Sequence, residues 1–222
     1  VAVLGCWCAA SAAEKTVLKA AKDSFARSNE QIKNSGGNEY LLVAHAPNIR
    51  SLVAFDLSGV TNEIVGAELR FRPHNSNEEP INLVVAPMVT TADNADWGEG
   101  VGALGVQGQN ARPGEACYAR SAFPDTHWQA RSGSELANLG DARLWRAPVA
   151  TLRNLVWRRG AWVEVPVKNA GLLETAREND PKTATFGFWG TGGNGVYSIS
   201  SKESGHAPEL VLQVKEQKDA QK

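Results

Sequence analysis

The chain has 222 residues, enough for one domain with a full hydrophobic core. Apolar residues make up 42% and charged residues 21%, which excludes wholesale disorder. With 23 basic and 24 acidic residues the formal net charge is -1, so there is no electrostatic case for a nucleic-acid partner.

In chain order, residues 1–13 (VAVLGCWCAASAA) are apolar, uncharged and end in small side chains. They read as the remnant of a secretory signal peptide cut after Ala12 or Ala13, which predicts a secreted or cell-surface protein. Cys6 in Val3-Leu4-Gly5-Cys6 is a weak match to a lipid-attachment site. Removal of Cys6 and Cys8 with the leader leaves Cys117 without a disulfide partner. Residues 15–22 read as either helix or strand.

From there period-2 patterns dominate. In residues 51–57, Val53, Phe55 and Leu57 share one side. In residues 64–73, Val65, Ala67, Leu69 and Phe71 alternate with Gly66, Glu68, Arg70 and Arg72, the pattern of a half-buried strand with a basic outer face. Residues 81–88 suit an inner strand. Residues 90–146 are the least regular stretch, and their Trp97, Trp128 and Trp145 predict long loops anchored by buried rings. Further strands are predicted at 161–167, 183–189, 196–200 and 210–214. Residues 168–179 form the one clear helix candidate, with Leu172, Leu173 and Ala176 as its apolar side. Residues 216–222 are a polar tail. The turns are rich in Gly, Pro, Asn and Asp, and helices between strands are almost absent. The prediction is therefore an all-β, antiparallel β-sandwich of jelly-roll type, a single domain over residues 14–215, with long loops and at most one or two short helices.

Four segments carry a family likeness: Lys22-Asp23-Ser24-Phe25-Ala26-Arg27 followed by Lys33-Asn34-Ser35-Gly36-Gly37; Leu52-Val53-Ala54-Phe55-Asp56-Leu57-Ser58 followed by residues 64–69; Trp97-Gly98-Glu99-Gly100; and Ser200-Ser201-Lys202-Glu203 followed by residues 207–212. In order and spacing they resemble the DNRLRE domain, also classed as carbohydrate-binding module family 96, over roughly residues 20–215. The naming hexapeptide is absent, and the 90–146 insert departs from the pattern. The likeness implies a jelly-roll β-sandwich of secreted proteins, some of whose members bind polyuronates such as alginate; it carries over no sugar contact.

A site for an acidic sugar needs a stacking ring, fixed polar partners and Arg or Lys to meet carboxylates. Two places qualify: a basic sheet face of Arg50, Arg70, Arg72 and His74 with Lys33 nearby, and a loop site of Trp128, Arg131, Trp145 and Arg146. Asp23, Asp56 and Glu203 are the candidate oxygen ligands for a structural calcium ion, although Asp56 in Phe55-Asp56-Leu57-Ser58 also suits a carboxylate accepting turn amides. Glu99 is expected to pair locally and Glu203 to meet a buried Arg.

Chemistry-bearing motifs are missing. Gly190-Thr191-Gly192-Gly193-Asn194-Gly195 fits G-x-G-x-x-G literally but has no βαβ unit after it. The four His are far apart and lack zinc spacing, and no run of ~18 apolar residues spans a bilayer. The expectation is a non-catalytic domain binding carbohydrate, most simply an acidic polysaccharide. The alternative is a structural or adhesive surface domain binding protein or matrix, and the third reading is a polysaccharide hydrolase or lyase.

Overall fold

The computed structural model describes residues 13–44, 48–130, 136–192 and 195–216. The leader, residues 1–12, and the tail beyond Glu216 lie outside them, as does Arg131. In chain order the strands are β1 (Ala13–Lys19), β2 (Lys22–Arg27), β3 (Lys33–Asn34), β4 (Tyr40–Val43), β5 (Ile49–Asp56), β6 (Ile64–Phe71), β7 (Asn77–Pro87), β8 (Gln109–Asn110), β9 (Arg120–Ala122), β10 (Thr126–Gln129), β11 (Leu136–Ala137), β12 (Ala150–Trp157), β13 (Val163–Pro166), β14 (Thr183–Gly192), β15 (Tyr197–Ser200) and β16 (Glu209–Lys215). Two short helices, α1 (Ala92–Ala95) and α2 (Gly171–Glu178), accompany them.

The result is an all-β antiparallel sandwich. One sheet has the order β1-β16-β6-β13 and the other β12-β7-β14-β5-β2. Strands β15 and β4 pair with each other, and the bonds His74 N–H to Ser198 O (2.7 Å) and Ser200 N–H to Arg72 O (2.8 Å) tie them to the end of β6. Alternation sets which side chains enter the core. Val53 and Phe55 from β5, Leu69 and Phe71 from β6, Leu83 and Val85 from β7, and Phe186 and Phe188 from β14 are all fully buried between the sheets. Phe71 packs edge-on against Phe188 at 5.4 Å between ring centroids, a favoured aromatic geometry.

The sequence pattern fails at one end of β6. Val65 is 45% exposed while Ile64 is buried. The β6–β16 register shifts between Gln213 and Val214, so Ile64 pairs with Val214 and Gly66 with Gln213. The unpaired residue, Val65, is turned outward, as a β-bulge does. Strand β12 was not marked by alternation. Its pairing with β7 is interrupted between Leu152 and Leu155, where Asn154 takes a left-handed conformation (φ 52°), so its apolar side chains lose their spacing of two. Residues 15–22 resolve as the end of one strand and the start of another, with β1 pairing β16 along its whole length. Helix α2 falls inside the predicted 168–179, burying Leu173 and Ala176.

Residues 90–146 are more than loops. They make a third layer over the outer face of the five-stranded sheet, with their own small sheet β11-β10-β9. A second apolar core lies between the two. Ala26, Leu52, Ala54 and Met88 from the sheet meet Trp97, Tyr118, Trp128, Leu139 and Leu144 from the layer. The indole N–H groups are satisfied as burial requires: Trp97 Nε1 donates to Thr185 Oγ1 at 3.1 Å and Trp128 Nε1 to Cys117 O at 3.0 Å. Strand β5 is therefore buried on both faces, which explains why Leu52 and Ala54 are apolar as well as Val53 and Phe55.

Candidate functional site

Where the third layer ends, the face of the five-stranded sheet stays open and forms a groove. Phe188 pairs with Ser51, so one step along, Trp189 on β14 stands beside Arg50 on β5, both on the outer face. The Arg50 guanidinium lies over the Trp189 ring, 4.6 Å from its centroid, a cation–π geometry. Trp145, leaving the third layer, brings its ring to 5.3 Å from that of Trp189 and is pinned by Nε1 donation to Leu139 O at 3.1 Å. It packs against Gly187, where an added Cβ would sit 2.3 Å from the indole; only glycine leaves room for it.

Arg50, Trp145, Arg146, Pro148, Trp189 and Gly140 line a cavity of about 330 Å³. A second cavity of about 530 Å³ shares Arg146 and Pro148 with it and runs on to Lys168, Asn169 and Thr175 at the start of α2. Basic groups line both, Arg50 and Arg146 in the first and Arg146 and Lys168 in the second. Neither Arg50 nor Arg146 has a carboxylate partner among the described residues. Arg50 donates from Nη1 to Ile49 O at 3.1 Å, and its Nε–H is buried without an acceptor. Burial lowers the Arg50 pKa, and the Tyr118 hydroxyl nearby opposes that shift. A pair of half-buried indoles flanked by unpaired guanidiniums can stack on a sugar ring and accept its acid group.

The candidates read from sequence are sorted by this geometry. Arg50 joins Trp145 and Arg146, although the sequence had placed them in separate sites. Trp128 is buried and bonded in the second core, so it is not available to a ligand. Lys33 bonds Glu30 Oε1 at 3.2 Å, away from the groove. His74 packs its ring 5.5 Å from that of Tyr40. Trp189 was missed; its place opposite Arg50 across a strand pair was the signal available.

Arg70 and Arg72 stay together on the outer face of the other sheet, both over the Trp162 ring at 5.0 and 4.2 Å. Arg70 is held by an ion pair with Glu209.

The proposed calcium ligands separate. Asp56 is a turn carboxylate that accepts the Ser58 N–H at 2.8 Å. Asp23 and Glu203 do meet, and Glu99 joins them: one oxygen from each lies within 4.8 Å of the others. Such a set could hold a hard cation. In this structure the Lys202 ammonium supplies the positive charge, 3.0 Å from Glu99 Oε2 and 2.7 Å from Glu203 Oε1. Glu99 thus pairs across the chain rather than locally, also accepting the Asp23 N–H at 2.6 Å, and Glu203 meets a Lys rather than an Arg. Asp23 is fully buried; its Oδ2 accepts the Lys202 N–H at 2.7 Å and its Oδ1 has no partner among the described residues. Burial, reinforced by Glu203 and Glu99, pushes the Asp23 carboxyl up to about 8. Burial alone would pull Lys202 down, but its bonds to Glu203 and Glu99 and their charge raise it.

Asn34 completes this end of the molecule. Its Nδ2 donates to Glu99 O at 2.6 Å and Ala116 O at 2.8 Å, and its Oδ1 accepts from Gly36 N and Gly102 N. The sequence segments around Asp23, Asn34, Glu99 and Lys202 therefore converge as a framework clasp, separate from the groove.

Fold and groove together define an all-β sandwich with an added layer and an open, basic, aromatic face. No family model matches the chain, and no curated protein matches it. No helix among the described residues is long and apolar enough to cross a membrane.

Proposed function

We propose that this chain is a non-catalytic binding domain for an acidic polysaccharide, held along the path from Trp189 and Trp145 past Arg146 to Lys168. The observation that carries the reading is the Trp145–Trp189 pair with Arg50 stacked over Trp189 and no carboxylate paired with Arg50 or Arg146 among the described residues. A uronate or sulfated sugar supplies both the ring face and the anion that this site lacks. Two neighbouring cavities that share Arg146 and Pro148 suit a linear polymer better than a monosaccharide. The motif likeness to the DNRLRE domain, some of whose members bind polyuronates, is compatible with this ligand class but places no contact.

Affinity electrophoresis through gels containing alginate tests the proposal. Retention of the parent is expected to drop sharply in Trp189→Ala and in Arg50→Gln, each replacing a contact worth ~1–3 kcal/mol. A neutral glucan should retain neither form. Equal retention of parent and variants would remove the groove as the site. Failure of the parent to bind any glycan on an array would favour a protein or matrix ligand.

A further inference from the structure

The second Arg–Trp cluster lies on the opposite side of the molecule and has its own crevice. Arg70 on β6 and Arg72, one residue past its end, both settle their guanidiniums on the single ring of Trp162. The two differ in one respect. Arg70 is neutralised by Glu209. The Arg72 guanidinium has no hydrogen-bond or ion-pair partner among the described residues, and its Nε–H is buried without an acceptor among them. Stacking on an indole holds the guanidinium flat and leaves its outer N–H edge unbonded. Arg72 lines a crevice of about 120 Å³ together with Lys19, Trp162, His206 and Glu209. Lys19 stands opposite Glu209 on the edge strand β1, and the Glu209 charge is taken by Arg70. Lys19 and Arg72 thus form a positive pair with His206 beside them and room for one acid group.

We infer that this crevice is a second anion site, taking a single carboxylate or sulfate of the same kind of polymer, and that the domain is therefore two-faced and bridges separate polysaccharide segments. The inference rests on the polysaccharide reading for its polymer but on different residues. Sheets of a sandwich pack about 10 Å apart, so the Trp189 groove and the Arg72 crevice look away from each other across both layers. One straight segment cannot occupy both, whereas two segments can.

The experiment mixes the full chain with alginate and follows light scattering and sedimentation, with retention measured in parallel. The parent should raise scattering at intermediate protein-to-polymer ratios and lose it at large excess, as bridging requires. Arg72→Gln and, independently, Lys19→Gln should keep groove-dependent retention but abolish the bridging maximum; Lys19 is exposed on an edge strand, so its variant keeps the fold. Trp189→Ala provides the separation from the earlier reading. Residual retention in that background, lost on adding Arg72→Gln, supports the crevice whether or not the groove binds. An unchanged scattering curve in both Arg72→Gln and Lys19→Gln, or no residual retention in Trp189→Ala, overturns the second site.

Discussion

At the scale of single residues, Asp23 has the largest consequence for pH. Its folded carboxyl titrates at about 8 against an ordinary value of 3.8, because burial disfavours the charged form. A raised folded pKa means that the folded state holds the proton more tightly than the unfolded chain. The stability this gives is complete below about pH 4 and is lost progressively as pH rises to about 8. Asp23→Asn keeps an oxygen for the Lys202 N–H but cannot ionise. Its stability should therefore lack this fall: measured by urea unfolding, the variant gains on the parent as pH rises from 5 to 9. A constant difference between the two across that range would show that Asp23 does not titrate within it. Lys202 gives a companion expectation. Lys202→Met leaves Asp23, Glu99 and Glu203 without their cation, which should lower the melting temperature and make it respond to added calcium more than the parent does.

At the scale of elements, the third layer is held by apolar contact. Leu144 is fully buried in the second core, so Leu144→Ala should cost ~2–5 kcal/mol in chemical unfolding; a change under ~1 kcal/mol would mean that the layer docks loosely. Gly187 is the corresponding point for the groove. Gly187→Val suits a β-strand in itself, but its side chain would occupy the position of the Trp145 indole. The expected outcome is weaker alginate retention with far-UV circular dichroism unchanged. Strands were readable in the sequence wherever one face was dry and the other wet, as in residues 164–167, where Val165 and Val167 are buried and Glu164 and Pro166 are exposed. Reading failed where that condition failed. Strand β12 is bulged, and β5 has a second buried face that alternation cannot announce. The third layer consists of strands of two to four residues, too short to show a period, so its three tryptophans were the only visible sign of a core.

At the scale of the whole molecule, the candidate site was half readable. Arg50 and Trp145 could be named from residue type, because acidic sugars require cations and rings. Their meeting could not, since it depends on a strand register and on the path of a distant segment. The calcium reading shows the same division: Asp23 and Glu203 do come together, whereas Glu99 enters only through the fold and Asp56 is consumed by its own turn. The four resembling segments meet largely as scaffold around Asn34 and Lys202, and the groove uses positions outside them. Framework motifs therefore carry information about architecture here, whereas the groove proposed as the binding site is lined by Arg50, Trp145, Arg146 and Trp189.

The third layer leaves and rejoins the sandwich at almost one point, since Met88 bridges Trp145 and Val85 pairs with Ala150. Topologically, everything between is an oversized hairpin connection: the strands on either side would stay neighbours if it were exchanged for another of different length. Ligand preference in this architecture can then diverge by swapping a cassette, provided that the newcomer still shields Leu52 and Ala54 from water and returns an aromatic ring above the hollow at position 187.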